Sequence, residues 1–132
     1  MSVFFGSHGF QEVIFERERC ILFLWRYIAN IFIKISWERA GPLSARFTID
    51  FGLRRSYDAT FSGAIGATVT ISMTSINFGD GSSSNIVDAI IQSINIVDDW
   101  IIARKIVYHT YSSLNNNGAP FLVRVQTNAR VS

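Results

Sequence analysis

The residues that could support nucleophilic or acid–base catalysis are few and lie far apart in this sequence. Histidine occurs only at His8 and His109, and the single cysteine is Cys20. A serine, threonine or cysteine nucleophile needs a base within hydrogen-bonding distance, and the sequence gives neither histidine an obvious partner. The adjacent carboxylates of Asp98 and Asp99 would diverge by about 100° on a helix, so they would not converge on one substrate atom. We therefore predict no catalytic residues and a protein that is not an enzyme. A small enzyme whose site has no sequence signature is kept as an alternative.

One glycine- and serine-rich segment suggests a ligand. Its residues precede a predicted helix, and the backbone N–H groups of a helix N-terminus can hold an anion. The candidate anion loop comprises Gly79, Gly81, Ser82 and Ser83. A turn followed by a helix cap accounts for the same residues.

Other ligand types find less support in that segment. The lysine of a P-loop and the alternating acidic ligands of a calcium loop are both missing. Double-stranded RNA-binding domains carry lysines after a similar glycine pattern, and their absence argues against a nucleic-acid partner. Two distant histidines and one cysteine match no recognised metal-ligand spacing. The sequence therefore predicts no cofactor, no metal and no nucleic acid.

Composition gives the main indication of function. The chain of 132 residues is 48% hydrophobic and 14% aromatic but only 17% charged, with a net charge of +2. Ordinary soluble domains carry about 25% charged residues. Soluble monomers seldom expose large apolar patches, so part of this apolar surface should be covered by a partner. The length corresponds to a single domain over residues 1–132.

The first part of the chain is predicted to be helical. Residues 10–39 lack glycine and proline and carry a polar stripe at helical spacing, which includes Glu12, Glu16 and Lys34. Residues 1–9 before this helix are predicted to form a mobile arm. A second helix is predicted over residues 84–103, after the serines of the loop.

The remaining segments alternate with a period of two, which is typical of strands with one buried face. Residues 44–78 are predicted to form a three-strand meander, and residues 104–131 a strand or hairpin, with helix or strand left open for 104–111. The expected fold class is α+β, in which an antiparallel sheet of four to five strands packs against the long N-terminal helix and the second helix. The element order would be α-β-β-β-α-(β)-β.

These features predict a structural or assembly subunit that forms a homo-oligomer or docks into a larger complex, such as a viral or particle component. The expected interface residues are Arg26, Lys34, Arg54, Arg55, Trp25 and Trp37. The alternative is a protein that associates with a membrane or lipid through its aromatic-rich N-terminal helix. Because the sequence has no recognisable secretory signal or transmembrane span, the expected location is cytoplasmic or particle-associated.

Overall fold

The structure is a computed structural model that describes residues 3–5, 10–15, 19–22, 31–57, 59–115, 117–118 and 120–127. The described residues form nine strands and one 3-10 helix at Ala59–Ser62, and none of them lies in an α-helix. The strands are β1 (Val3–Phe5), β2 (Phe10–Phe15), β3 (Arg19–Leu22), β4 (Ile31–Arg39), β5 (Ser44–Arg54), β6 (Thr68–Asn77), β7 (Ser83–Asn95), β8 (Trp100–Thr110) and β9 (Phe121–Thr127). The predicted α+β fold class is therefore wrong, and the domain is nearly all β.

All nine strands belong to one antiparallel sheet, in the order β1-β2-β9-β6-β7-β8-β5-β4-β3. Strands β2 and β3 lie near opposite ends of this order, although Phe15 and Arg19 are close neighbours in sequence. The four peptide units between these two residues can span at most about 14 Å. The two ends of the sheet must therefore approach each other, which means that the sheet curls into a half-barrel.

The concave side of the curled sheet holds the hydrophobic core. Side chains from strands β4 to β9 and from the 3-10 helix meet there in one cluster of buried residues. The largest fully buried members are Phe47, Phe51, Ile35, Ile49, Leu53, Ile76, Ile86, Ile91, Ile101 and Val69. Strands that bury one face alternate apolar and polar residues, so their other side chains point to the convex side.

The long helix predicted over residues 10–39 is wrong, because those residues contribute β2, β3 and β4. In β4 the buried residues Ile33, Ile35 and Trp37 alternate with the more exposed Lys34 and Ser36, which is a period of two. β-Branched and aromatic side chains dominate this stretch, and they favour strands. Val3–Phe5, placed in the predicted arm, pairs with β2.

The second helix predicted over residues 84–103 is also wrong, because those residues form most of β7 and the start of β8. Residues 104–110 continue β8 as a strand. Strands β5 and β6 do not form a meander, since β7 and β8 lie between them in the sheet. The segment that connects β5 to β6 contains the 3-10 helix at Ala59–Ser62.

Candidate binding face

Strands β4, β5 and β8 present a continuous polar and aromatic surface on the convex side of the sheet. Ala45, Phe47, Ile49 and Phe51 of β5 belong to the core, so the alternate residues Arg46, Thr48 and Asp50 point to the other side of the sheet. The register of β5 with β8 places Arg46 opposite Tyr108 and Thr48 opposite Ile106. We call this surface the outer face; its members are Lys34, Ser36, Glu38, Arg46, Thr48, Asp50, Arg104, Ile106 and Tyr108.

A two-pronged ion pair lies at the centre of the outer face. Arg104 Nε donates to Asp50 Oδ1 at 2.8 Å and Arg104 Nη2 donates to Asp50 Oδ2 at 3.1 Å. The hydrogen bond to Asp50 raises the pKa of Arg104, although partial burial opposes this shift. Asp50 is only 8% exposed, so its carboxylate depends on this partner for solvation. The register also places Lys34 beside Asp50 on the neighbouring strand.

A second ion pair joins Arg46 of β5 to Glu38 of β4, across the same face. Both side chains are well exposed, and exposed pairs contribute little to stability. The Arg46 guanidinium lies on the face that carries Tyr108. A partner that displaces Glu38 from Arg46 would therefore cost the fold little stability. Arginine and tyrosine are the residue types most enriched at the energetic centres of protein interfaces.

The outer face also exposes apolar side chains on rigid backbone. Tyr108 is 65% exposed and Ile106 is 44% exposed, and both belong to the long β5–β8 ladder. Ile90 of β7 lies opposite Arg104 and adds a third partly exposed apolar residue. An exposed tyrosine and two isoleucines flanked by two arginines form a surface suited to binding a protein.

Asp80, Ser82 and His109 are the residue types of a serine hydrolase triad, and the structure brings them together. Asp80 Oδ2 lies 2.7 Å from His109 Nε2, and Ser82 Oγ lies 3.4 Å from the same nitrogen. Ser82 Oγ also donates to Asp80 Oδ1. In a triad the histidine uses its two different ring nitrogens for the aspartate and the serine. Here both groups approach Nε2, so the histidine is not placed to activate the serine.

This cluster instead fixes the loop between β6 and β7 to β8. Burial raises the pKa of Asp80, but hydrogen bonds from Ser82 and His109 lower it further, so the net pKa lies below its ordinary value. The ring of His109 stacks on Phe78 with centroids 3.9 Å apart and meets Tyr111 edge-on at 4.6 Å. The Tyr111 hydroxyl donates to the Phe78 carbonyl at 2.8 Å. These contacts indicate a structural role.

The anion loop predicted at Gly79, Gly81, Ser82 and Ser83 is not followed by the helix from which that prediction was argued. Residues from Ser83 onward form β7, so no helix dipole points at the loop. The carboxylate of Asp80 already accepts the Ser82 N–H at 3.0 Å, and that negative charge opposes an anion. The segment is a hairpin loop in which Gly79 and Gly81 have positive φ angles.

The predicted interface residues occupy different parts of the molecule. Lys34 lies on the outer face, whereas Trp37 is 3% exposed and belongs to the core. Arg54 ends β5, with its guanidinium carbon 5.3 Å from the ring centre of Trp100. Arg55 follows Arg54 in the turn and donates to the carbonyl of Ser62 at 3.5 Å. Trp25, Arg26 and His8 lie outside the described residues.

The tip of the β7–β8 hairpin is a second exposed apolar region. Ile96 and Val97 are 71% and 94% exposed. The tip is held in place by Asp99, whose Oδ1 accepts the Ser56 N–H at 3.1 Å and whose carbonyl accepts the Arg55 N–H at 2.8 Å. It lies at the far end of β8 from Tyr108, so it serves as a reference site for experiments on the outer face.

The sequence analysis does not single out Ile106 and Tyr108, which the structure exposes on the outer face. Which face of a strand is buried depends on its partners, and the register with β5 is not visible in the sequence. The usable signal was the grouping of Arg104, Ile106 and Tyr108 at alternate positions, which places a cation and two large apolar side chains on one face.

Two kinds of feature are absent from the described residues. No group of three or more His, Cys, Asp or Glu side chains in that part of the chain is arranged to hold a metal ion. Over the same residues, no helix has the length and hydropathy needed to span a bilayer.

Comparison with known proteins identifies the family. A family model described as the N-terminal part of integrin beta-like proteins A–E matches residues 32–132. These residues contain the six neighbouring strands β9-β6-β7-β8-β5-β4, whereas β1, β2 and β3 lie at the two ends of the sheet. Integrin beta-like protein E of Dictyostelium discoideum is 32% identical over 88 residues, which are 66% of this chain but 4% of that protein.

The chain thus corresponds to a small part of this much longer relative. No solved structure shows a significant match. The expectation of a viral component is wrong, because the family and the relative are integrin beta-like proteins. The chain belongs to the family of integrin beta-like protein A–E N-terminal domains.

Proposed function

We propose that this domain is a non-catalytic binding module that acts in adhesion as part of an integrin beta-like protein. Membership of the family supports a role outside catalysis. The proposed binding role in adhesion depends on the outer face, where Tyr108 and Ile106 are exposed between Arg46 and Arg104 on a rigid ladder. A surface of this kind presents large contact area at little cost in conformational entropy.

The geometry of the polar cluster supports the same conclusion. Asp80 Oδ2 and Ser82 Oγ both lie within hydrogen-bonding distance of His109 Nε2, and the Ser82 hydroxyl donates its proton to the Asp80 carboxylate. The residues that would otherwise suggest hydrolysis are thus engaged in holding a loop. Substitution of Ser82 by alanine is expected to leave binding unchanged, which a catalytic or ligand-contacting role would not allow.

Binding can be tested with beads coated with the domain and incubated with Dictyostelium discoideum cells. The domain should capture cells, and the double substitution Ile106→Ser with Tyr108→Ser should reduce the captured number by about tenfold or more, the size expected when central apolar contacts are lost. The matched control is Ile96→Ser with Val97→Ser, which removes similar exposed apolar area at the hairpin tip and should leave capture unchanged.

Three outcomes would contradict the proposal. If the wild-type beads capture no cells, adhesion by this domain is excluded. If both double variants reduce the number of captured cells equally, capture depends on exposed apolar area in general and not on the outer face. Capture that survives the outer-face substitutions would place the site elsewhere. Circular dichroism of each variant, compared with the wild type, separates loss of binding from loss of folding.

An adhesion role requires the domain to face the outside of the cell. This differs from the cytoplasmic location expected from the sequence, and surface biotinylation of intact cells that express the parent protein distinguishes the two. Labelling of the domain supports adhesion, whereas labelling only after the cells are permeabilised supports an intracellular binding module.

A further inference from the structure

The β7–β8 hairpin is paired only near its tip. Its register runs from Asn95–Trp100 to Ile90–Arg104 and ends there. Among the described residues of the two strands, 83–89 and 105–110 have no register partner across the hairpin. Lys105 Nζ bridges part of this split by donating to Asp88 Oδ1 at 2.7 Å. The two strands therefore diverge and leave the second half of β8 with one open edge.

The backbone groups on that open edge can be identified. At the two ends of the β5–β8 ladder, the Arg55 N–H donates to the Asp99 carbonyl and the Tyr111 N–H donates to the Leu43 carbonyl, both at 2.8 Å. The register between these ends has no shift. Since hydrogen-bonded and non-hydrogen-bonded pairs alternate in an antiparallel ladder, the odd-numbered residues of β8 bond to β5.

The even-numbered residues direct their N–H and C=O groups away from β5. Arg104 uses this side to pair with Ile90 of β7. Beyond Arg104, the backbone N–H and C=O groups of Ile106, Tyr108 and Thr110 point into the gap between the diverging strands β7 and β8. Among the described residues, no strand pairs with these three on that side. All three side chains are exposed. An edge that offers unpaired donors and acceptors beside exposed apolar side chains is a template for adding a strand.

We propose that the open edge of β8 pairs antiparallel with the same edge of a second copy of this chain, about a two-fold axis through Tyr108. This inference rests on the proposed binding function and deepens it, because it names a second copy of the chain as the partner of one edge of the outer face. The two curled sheets would join into one continuous sheet, with Tyr108 beside its own copy and Ile106 beside Thr110 of the second copy.

This register is favoured over its nearest alternative by hydrogen bonding and by charge. With the axis through Tyr108, all three open residues exchange N–H···O bonds across the interface, and Lys105 lies opposite Tyr111 of the second copy. An axis through Val107 would place Thr110 opposite Arg104, whose backbone is already paired with β7. It would also place the cationic Lys105 opposite the basic side chain of His109, an unfavourable cross-strand pair.

The oligomeric state and the register are tested together in a Cys20→Ser background. Light scattering after size exclusion should give twice the 14.9 kDa mass of the chain. Tyr108→Cys should form an intermolecular disulfide on mild oxidation, because opposed Cα atoms of a hydrogen-bonded pair lie about 5.5 Å apart, within disulfide range. Ile106→Cys alone should not, whereas a mixture of Ile106→Cys and Thr110→Cys should cross-link.

A proline scan distinguishes backbone pairing from side-chain contact. Tyr108→Pro removes an N–H that points into the split, so the β5–β8 ladder stays intact while the dimer is lost. Tyr108→Ala keeps the N–H and should still dimerise, with weaker affinity. Equal loss of the dimer in both variants would overturn pairing through the backbone.

A monomeric wild type at a chain concentration of about 100 μM, or cross-linking in a mixture of Ile106→Cys with Tyr108→Cys but not of Tyr108→Cys alone, would overturn the proposed dimer. These results would leave the adhesion assay unaffected, because a monomeric domain on a bead can still capture cells. Conversely, a dimer that captures no cells would remove the proposed function and keep the dimer.

Discussion

Replacement of Gly79 by alanine tests how the loop between β6 and β7 is fixed. Gly79 has a φ of +84°, and a Cβ built on it would lie 2.8 Å from the Leu122 nitrogen and 2.9 Å from the Leu122 carbonyl carbon, and still closer to its oxygen. Gly81, two residues on in the same loop, has a φ of +90° with nothing within 4 Å of its Cβ position. The two glycines therefore share the backbone conformation and differ only in the neighbouring backbone.

The magnitudes follow from this comparison. A side chain in the left-handed region costs about 1–2 kcal/mol, and both substitutions incur this cost. Gly79→Ala must also displace the backbone of β9, an overpacking cost of about 1–3 kcal/mol. We expect a loss of about 1–2 kcal/mol for Gly81→Ala and about 2–5 kcal/mol for Gly79→Ala, which corresponds to roughly 3–8 °C and 6–20 °C in Tm for a chain of this length.

Urea denaturation monitored by tryptophan fluorescence measures the free energy of unfolding of both variants under the same conditions. If the two variants lose equal stability, the close approach of Gly79 to β9 is not a feature of the native state, and the position of the loop beside His109 must be revised. A Gly79→Ala variant as stable as the wild type would also refute the left-handed conformation.

Three further predictions concern the ionisable groups. Arg104→Met removes the two hydrogen bonds that the nearly buried Asp50 carboxylate accepts from Arg104 and should cost about 1–3 kcal/mol in a denaturation experiment. Arg46→Met breaks an exposed pair and should cost less than about 1 kcal/mol, and equal costs would contradict the burial of Asp50. Because the folded-state pKa of Asp80 lies below its ordinary value of 3.8, its stabilisation is present above that pH and lost as the pH falls through the folded pKa. The stability difference between wild type and Asp80→Asn should therefore shrink in acid, and a difference that is constant with pH would contradict the lowered pKa. Burial raises the pKa of Tyr111 above its ordinary value of 10.0, so wild-type stability should fall as the pH rises past 10, and Tyr111→Phe should remove that part of the fall.

The strands with unbroken alternation are the part of the fold that the sequence predicts. In β5 the apolar residues Phe47, Ile49 and Phe51 occur at every second position and are all buried. β9 has the same pattern at Phe121, Val123 and Val125. A period of two over several residues leaves no helical interpretation, so the element type follows from the sequence alone.

Strand β7 was mistaken for a helix for a specific reason. Its buried positions are Ile86, Ala89 and Ile91, with Ile94 partly buried, which gives spacings of three as well as two. The register of β7 shifts against β6 in this region and again against β8 between Ile91 and Ser93. Against β8 the extra residue lies in β7 at Gln92, which accounts for the three-residue spacing from Ile91 to Ile94. Against β6 the extra residues lie in β6, between Thr70 and Thr74. The spacings of three in β7 imitate those of a helix.

The helix predicted over residues 10–39 is wrong because many of its residues favour strands. Residues 31–37 include isoleucine at alternate positions with phenylalanine and tryptophan, and such residues favour strands. The absence of glycine and proline from residues 10–39 is compatible with one continuous helix and equally compatible with several strands. Pairing partners decide between these alternatives. β4 pairs with β5, which follows it directly in sequence, whereas β2 pairs with β9, which lies far away in sequence.

The candidate site was predictable only in its residue types. The excess of apolar and aromatic residues pointed to association, and Lys34 does lie on the outer face. The ion pair of Asp50 with Arg104 and the exposure of Tyr108 depend on the β5–β8 register, which joins residues more than fifty positions apart. No local pattern encodes such a pairing, because it results from the closure of the whole sheet.

The pairing of β2 with β9 has a consequence for how the chain folds during synthesis. Phe10 is in register with Gln126 and Phe15 with Phe121, so β2 is translated long before the strand with which it pairs. Until β9 leaves the ribosome, β1 and β2 are a two-stranded hairpin, which is marginally stable in water at best. Completion of the sheet is therefore expected only after β9 has been translated, and a chain arrested on the ribosome before Pro120 should remain sensitive to protease within β1 and β2.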